Sequence, residues 1–588
     1  MKSMSPIGRT PRRFLAFAFL PLLALAPGGC GTSPARTTGS AVADAGSADA
    51  LAAGSSAWPP AIDPRAFGVA SLASVTVAAF SQTGVSAVDP QVLTLGPDIV
   101  PRAWGQWDTS GLNAGDYTFG YPASCKAQGI TFVGGLTASV IFMDQMSATD
   151  FSDAVGRDAT GTPVAHSEIV AGAYRGALAS PVFRQTLIHI AELQIDGGVD
   201  GLFFDEVNSS YIGTNYGGDE GFDDHDVADF GRFLCAKHAG NPSAFAPFNL
   251  LSADHLDCSS SDPGASFDYR GYLARHCAQG LPLGAANPLS AEWGTTVQNR
   301  PDPAQATFVE TYPSLVYWQA IVVAVRSYAR QKYNKEILIT ANGIFPFVDF
   351  QSVGLYDWNK DGAGPRGFDY VPVTGAAPDP HYDGTVSFLP VFASLKARSA
   401  RIQQAVGGAE IPLLLFLDWP TDSMNRYYAL PLAERQDYVR MVLAEAYAMG
   451  EWFAMPLATT TDTSTATALG MMDFFGSMRA FYKGHEPLLA GARDSTASAT
   501  VSTPGVSVHL TTLPDGRSVL HLINHNYAAG FVPQTGLMVT VPRGQAPTSV
   551  TLASPDLPAD VGVPFTSSGG TVSVSIDTLR SSMIVVVD

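Results

Sequence analysis

Three observations predict an α/β chain built as a (β/α)8 TIM barrel with a long insertion after strand 4 and a C-terminal β-sandwich domain. Short apolar runs alternate with amphipathic stretches, one gap among them is far longer than a crossover, and the composition changes near residue 485. The strand-like runs are 75–80, 99–104, 130–135, 201–205, 336–341, 353–356, 413–417 and 453–457. Helical spacing falls between several of them, at 181–194, 317–333, 391–405 and 432–449. A doubly wound open sheet is the competing arrangement, but no glycine-rich phosphate loop follows the first run.

The roughly 130 residues between the fourth and fifth runs exceed any simple connection, which is usually a dozen residues or so plus a helix. They are expected to form an inserted subdomain at about 207–315 that folds over the barrel mouth. Beyond 485 the β-rich runs 501–507, 519–524, 537–541, 571–576 and 582–587 are punctuated by Gly, Pro, Asn and Asp, with no helical period. The expected organisation is a signal at 1–29, a tether at 30–57, the barrel at 58–484 and the sandwich at 485–588.

The bulk composition sets limits. Of 588 residues, 46% are hydrophobic and 15% charged, so large cores can form and wholesale disorder is excluded. Lys and Arg number 34 against 53 Asp and Glu, a net charge of −19, which argues against nucleic acid as a partner. Lys2, Arg9, Arg12 and Arg13 precede the 13-residue apolar run 14–26, too short to span a bilayer and suited to an export signal. The small residues before Cys30 resemble those of a bacterial lipoprotein signal, with Pro27 where an aliphatic residue is usual. That resemblance implies lipidation of Cys30 and a cell-envelope location; plain secretion to the extracellular space is the alternative. Membrane contact is expected only through this anchor. Loss of 1–29 removes four cations and lowers the charge to −23. The Ser, Thr, Ala and Gly of the next segment read as a flexible tether. Export permits disulfides among Cys125, Cys235, Cys258 and Cys277; three pairings are open, and Cys258–Cys277, closing a short loop, is preferred.

The strongest chemical signal is Gly198-Val199-Asp200-Gly201-Leu202-Phe203-Phe204-Asp205-Glu206, an apolar strand ending in two carboxylates. Active sites of this fold lie at the C-terminal strand ends. Side chains alternate along a strand, so Asp205 and Glu206 cannot face the same way while the strand continues. With Ser180-Pro181-Val182-Phe183-Arg184 and a helix ahead of it, the segment resembles (β/α)8-barrel glycoside hydrolases. Asp-Gly-x-x-x-Asp is similar to the fourth-strand motif of dextranases and α-glucosidases. The resemblance implies that Asp205 is a nucleophile.

Glycoside hydrolysis generally needs a second carboxyl group. Candidates are Glu206, Asp418 in Leu417-Asp418-Trp419, and Asp357 in Tyr356-Asp357-Trp358. Asp357, Asn359 and Asp361 also match the opening of a calcium loop, although Phe368 stands where a bidentate Glu is expected. A structural Ca2+ there competes with a solvated turn and with a catalytic Asp357; no cofactor is otherwise required. Trp104, Trp107, Trp358 and Trp419 fall at or just past strand ends, where indole faces suit sugar rings. Arg102, Asn342 and Tyr356 sit at similar ends and are expected to hydrogen-bond sugar hydroxyls. The acidic run 219–226 reads as a solvated loop entering a helix. No His-Glu-x-x-His, Gly-x-Ser-x-Gly or P-loop motif occurs. The expectation is an exported glycoside hydrolase or transglycosidase acting on an oligo- or polysaccharide. A non-catalytic carbohydrate-binding surface lipoprotein is the alternative.

Overall fold

The computed structural model describes residues 59–68, 75–81, 84–106, 118–166, 172–207, 221–238, 241–248, 250, 254, 256–278, 288–294, 307–355, 385, 387–417, 427–458 and 465–588. The signal, the tether and Cys30 lie outside them.

The first ten strands are β1 Ala78–Ser81, β2 Ile99–Gln106, β3 Thr131–Thr137, β4 Val140–Phe142, β5 Ala173–Arg175, β6 Gly201–Asp205, β7 Leu338–Ala341, β8 Gln351–Leu355, β9 Leu413–Leu417 and β10 Trp452–Ala458. Eight of them pair in parallel in the order β7-β6-β3-β2-β1-β10-β9-β8. A parallel bridge from Asn342 to Ser352 joins the two ends of this row, so the sheet closes as a (β/α)8 barrel. All eight expected runs become barrel strands; 201–205 and 413–417 coincide with β6 and β9, and the other bounds shift by at most three residues. Their continuous burial explains the unbroken apolar runs: β6 and β9 are buried at every position because one face meets the barrel interior and the other the helices. Phe203 faces Phe416 inside (centroids 6.2 Å apart), whereas Phe204 meets Trp318 of a surrounding helix at 5.1 Å.

Two connections depart from the simple repeat. β4 and β5 leave the barrel after β3 and form an antiparallel ribbon, Val140 opposite Arg175. Between β7 and β8 only residues 342–350 intervene, with no helix. Asp349 laces that connection: its amide donates to the Ile339 carbonyl (2.8 Å), and its carboxylate accepts from the Ile339 amide (2.6 Å) and Arg326 (3.0 Å).

The long connection after β6 carries helices Asp224–Lys237, Tyr269–Ala278 and Pro288–Trp293, then Phe308–Tyr312, which continues through a π-turn into Gln319–Tyr333. Its centre is aromatic: Trp293 stacks on Phe222 (5.0 Å) and meets Phe230 edge-on (4.9 Å). These residues belong to the same buried cluster as the barrel interior. The preferred Cys258–Cys277 pairing is not formed. Cys235 bonds Cys258 with Cα atoms 5.3 Å apart, because helix 224–237 brings Cys235 to the loop that holds Cys258. Cys125 is a buried free thiol. The acidic run also differs from a solvated loop: Asp223 caps helix 224–237, and both Asp223 and Asp226 are buried. Burial, then the charge of Asp223, pushes the Asp226 carboxyl well above the usual carboxylate range.

The C-terminal region forms two antiparallel sheets of six and four strands around one apolar core, a β-sandwich. The expected run 501–507 divides into Thr500–Val501 and Val506–Thr512 in different sheets, split by a turn with Gly505 at φ 73°. The sandwich docks on barrel helix Leu432–Ala448, where Tyr527 donates to Asp437 (3.2 Å).

Candidate active site

Asp205 is the last residue of β6 and follows Phe203 on the interior face of the barrel. The residue is 5% exposed, and its carboxylate is gripped from both sides. Arg102 of β2 donates through Nη2 to Oδ2 at 2.6 Å, and Asn342, just past β7, donates through Nδ2 to Oδ1 at 2.8 Å. The Arg102 guanidinium lies 4.9 Å from the Phe203 ring, 5.7 Å from Phe416 and 5.8 Å from Phe80. A cation among aromatic faces and a carboxylate in direct contact is compensated for its burial. Arg102 and Asn342, expected to meet sugar hydroxyls, are both buried and each gives one donor to Asp205. Their position at strand ends places them at the mouth but does not say which acceptor they meet there.

Glu206 solves the alternation problem through its backbone. It adopts φ 54°, the left-handed region, which is rare for a residue with a long side chain. The strand ends there, and its amide donates to the Asp205 carboxylate (3.1 Å). Its own Oε2 accepts from the Ser139 hydroxyl and from His166 Nε2 at 3.1 Å. Burial acts to raise the Glu206 pKa. The hydrogen bond and charge of His166, the Ser139 hydroxyl and the charge of Arg175 outweigh it, so the group is held below its ordinary value.

Ser139, His166 and Arg175 were not singled out in the sequence. The one available signal was length: 63 residues separate β3 from β6, more than a helix and two turns require. Ser139 and His166 also approach at 3.4 Å, but this is no nucleophilic relay. The nitrogen facing Ser139 is the one that donates to Glu206, since an ionised carboxylate only accepts.

Neighbouring Cα atoms stand about 3.8 Å apart, so the Asp205 and Glu206 carboxyl carbons lie within about 10 Å of each other. That span includes the separations used by both retaining and inverting glycosidases. Trp107, Tyr356, Asp357, Trp358, Asn359, Asp361, Asp418 and Trp419 lie outside the described residues, as does the Trp104 side chain. Among the described residues, no group of three or more His, Cys, Asp or Glu is arranged to hold a metal ion.

No family model matches the chain, and no curated protein matches it. Among solved structures, it is similar to a cycloisomaltooligosaccharide glucanotransferase of Paenibacillus sp. complexed with cycloisomaltoheptaose, at 9% identity and TM-score 0.48, covering 87% of this chain and 85% of that one. The maltogenic α-amylase AmyB of Thermotoga neapolitana aligns at 9% identity and TM-score 0.45, over 87% of this chain and 98% of that one. An α-amylase from H. orenii aligns at 10% identity and TM-score 0.42, over 87% and 99%. These are distant likenesses, and nothing about the chemistry of this chain rests on them.

Proposed function

We propose that this chain is a glycoside hydrolase or transglycosidase in which Asp205 acts as nucleophile or base on an oligo- or polysaccharide. The observation that carries the reading is the carboxylate pair at the C-terminal end of β6. One member is buried against Arg102 and Asn342; the other is turned by a left-handed backbone onto Ser139 and His166. Glycosidic cleavage passes through an oxocarbenium-like transition state, and two adjacent anions stabilise developing positive charge in a water-poor site. A resting general acid needs a raised pKa. Glu206 is held in the opposite direction, so the proton for the leaving group falls to Asp418 or Asp357. Trp104, Trp107, Trp358 and Trp419 would supply stacking surfaces for sugar rings, and Tyr356 a hydroxyl. An exported setting, with Cys30 as lipid attachment, completes the proposal.

The test is a glycan panel incubated with the full chain and with Asp205→Asn. Cleavage by the natural protein and a loss of roughly 10³-fold or more in kcat for the variant, with binding retained, is the expected result. Sugar bound but left intact by both proteins would instead identify the non-catalytic binding module.

A further inference from the structure

The β4–β5 ribbon has no place in a minimal barrel, yet its ends converge on Glu206. Ser139 sits two residues past β3, and its carbonyl accepts from the Gly176 amide (2.7 Å), directly after β5. The His166 amide donates to the Ala173 carbonyl (2.8 Å), and Ala165 bridges Tyr174. The Ala138 amide donates to the Asp205 carbonyl (2.8 Å), fastening the base of the ribbon to the end of β6. Ser139 and His166 are 0% and 1% exposed, so neither is available to a substrate; both direct a polar atom at one oxygen of Glu206.

Two neighbouring carboxylates repel each other unless each has its own donors. We propose that Ser139 and His166 are positioning residues that fix the Glu206 carboxylate apart from Asp205, which Arg102 and Asn342 hold. This rests on the paired-carboxylate reading above. The charged groups around Glu206 are His166 and Arg175 from the ribbon and Asp205, itself paired with Arg102, from its own strand. Arg175 and His166 favour the anion, and Asp205 opposes it. The left-handed backbone at Glu206 is retained because the ribbon over-determines where that side chain goes.

Removing His166 takes away the largest influence opposing burial, so Glu206 takes up its proton at higher pH. The sign for stability is that of a depressed carboxylate. The contribution is present above the unfolded-state pKa and lost as pH falls through the folded one.

The experiment uses the full chain with His166→Ala, His166→Gln, Ser139→Ala and Glu206→Gln, and reads two quantities. The first is the pH profile of kcat/KM on a glycan the natural protein cleaves. His166→Ala moves the acid limb to higher pH and lowers kcat on the order of 10- to 100-fold with KM little changed. His166→Gln, which keeps a donor, restores much of the loss. The second is urea unfolding between pH 3 and 7, where the effects of His166→Ala and Glu206→Gln are not additive. A folded His166→Ala with the natural acid limb and kcat, or strict additivity in unfolding, would overturn the proposal. If His166→Ala does not fold, Ser139→Ala and His166→Gln carry the same two measurements. If the natural protein cleaves no glycan, the hydrolase reading fails while the unfolding cycle still decides the clamp.

Discussion

The acids at the barrel mouth serve mainly side-chain donors, whereas those at its floor also hold backbone amides of neighbouring strands. At the C-terminal mouth, Asp205 has a guanidinium at 2.6 Å and Glu206 has an imidazole at 3.1 Å, so each is supplied with a donor suited to an anion. At the N-terminal floor, Glu451, just ahead of β10, is 2% exposed and accepts from the Leu413 amide, with Lys396 acting only from a distance. Burial there pushes Glu451 up to about 8. Asp349, ahead of β8, is likewise raised by burial, which outweighs its contact with Arg326. Burial and partners act together on an interior acid: at Glu206 the partners outweigh burial, and at Glu451 and Asp349 burial outweighs the partners. The mouth gives its acids side-chain donors, and the floor uses its acids as acceptors for backbone amides of neighbouring strands. This matches the division of (β/α)8 barrels into a reactive face and a stabilising face.

Three changes would break or sharpen that contrast. Arg102→Ala leaves Asp205 buried without its cation and is expected to destabilise the fold by about 3–5 kcal/mol. Denaturant unfolding measures it, and an effect below about 1 kcal/mol would mean that the mouth does not depend on pairing. Glu451→Gln acts at the floor. Because the folded group binds its proton more tightly than the unfolded one, its contribution to stability is full at low pH and declines as pH rises from about 4.5 to about 8. The decline attributable to this group is on the order of 4 kcal/mol. The variant should flatten it, and an unchanged slope of unfolding free energy against pH would refute the assignment. Asn342→Ala removes one neutral donor from a buried carboxylate and is expected to lower stability by about 1.5–3 kcal/mol. Its effect should be smaller than that of Arg102→Ala in the same assay.

Much of the fold was legible because it is written in local patterns. Runs such as Leu413–Leu417 are buried on both faces, and that environment requires continuous apolar sequence. Asp205 was legible because a carboxylate ending such a run has few structural explanations. The roles of Arg102 and Asn342 were not legible. Their positions at strand ends followed from the pattern, but their partner is Asp205, 103 and 137 residues away. The disulfide failed for the same reason: loop length favoured Cys258–Cys277, and the packing of a helix put Cys235 next to Cys258 instead.

The sequence by itself therefore determined the eight-stranded barrel, its position ahead of a sandwich, and the strand end where acids accumulate. Those features depend on periodicity and on the chemistry of single residues. Only the tertiary structure decided which donors each acid receives, and hence which acids stay charged. Glu206 faces Ser139 and His166, 67 and 40 residues earlier, because its backbone turns left-handed and the inserted ribbon meets it there. Hydrogen bonds between distant segments depend on Å-scale placement, which hydrophobic spacing leaves open.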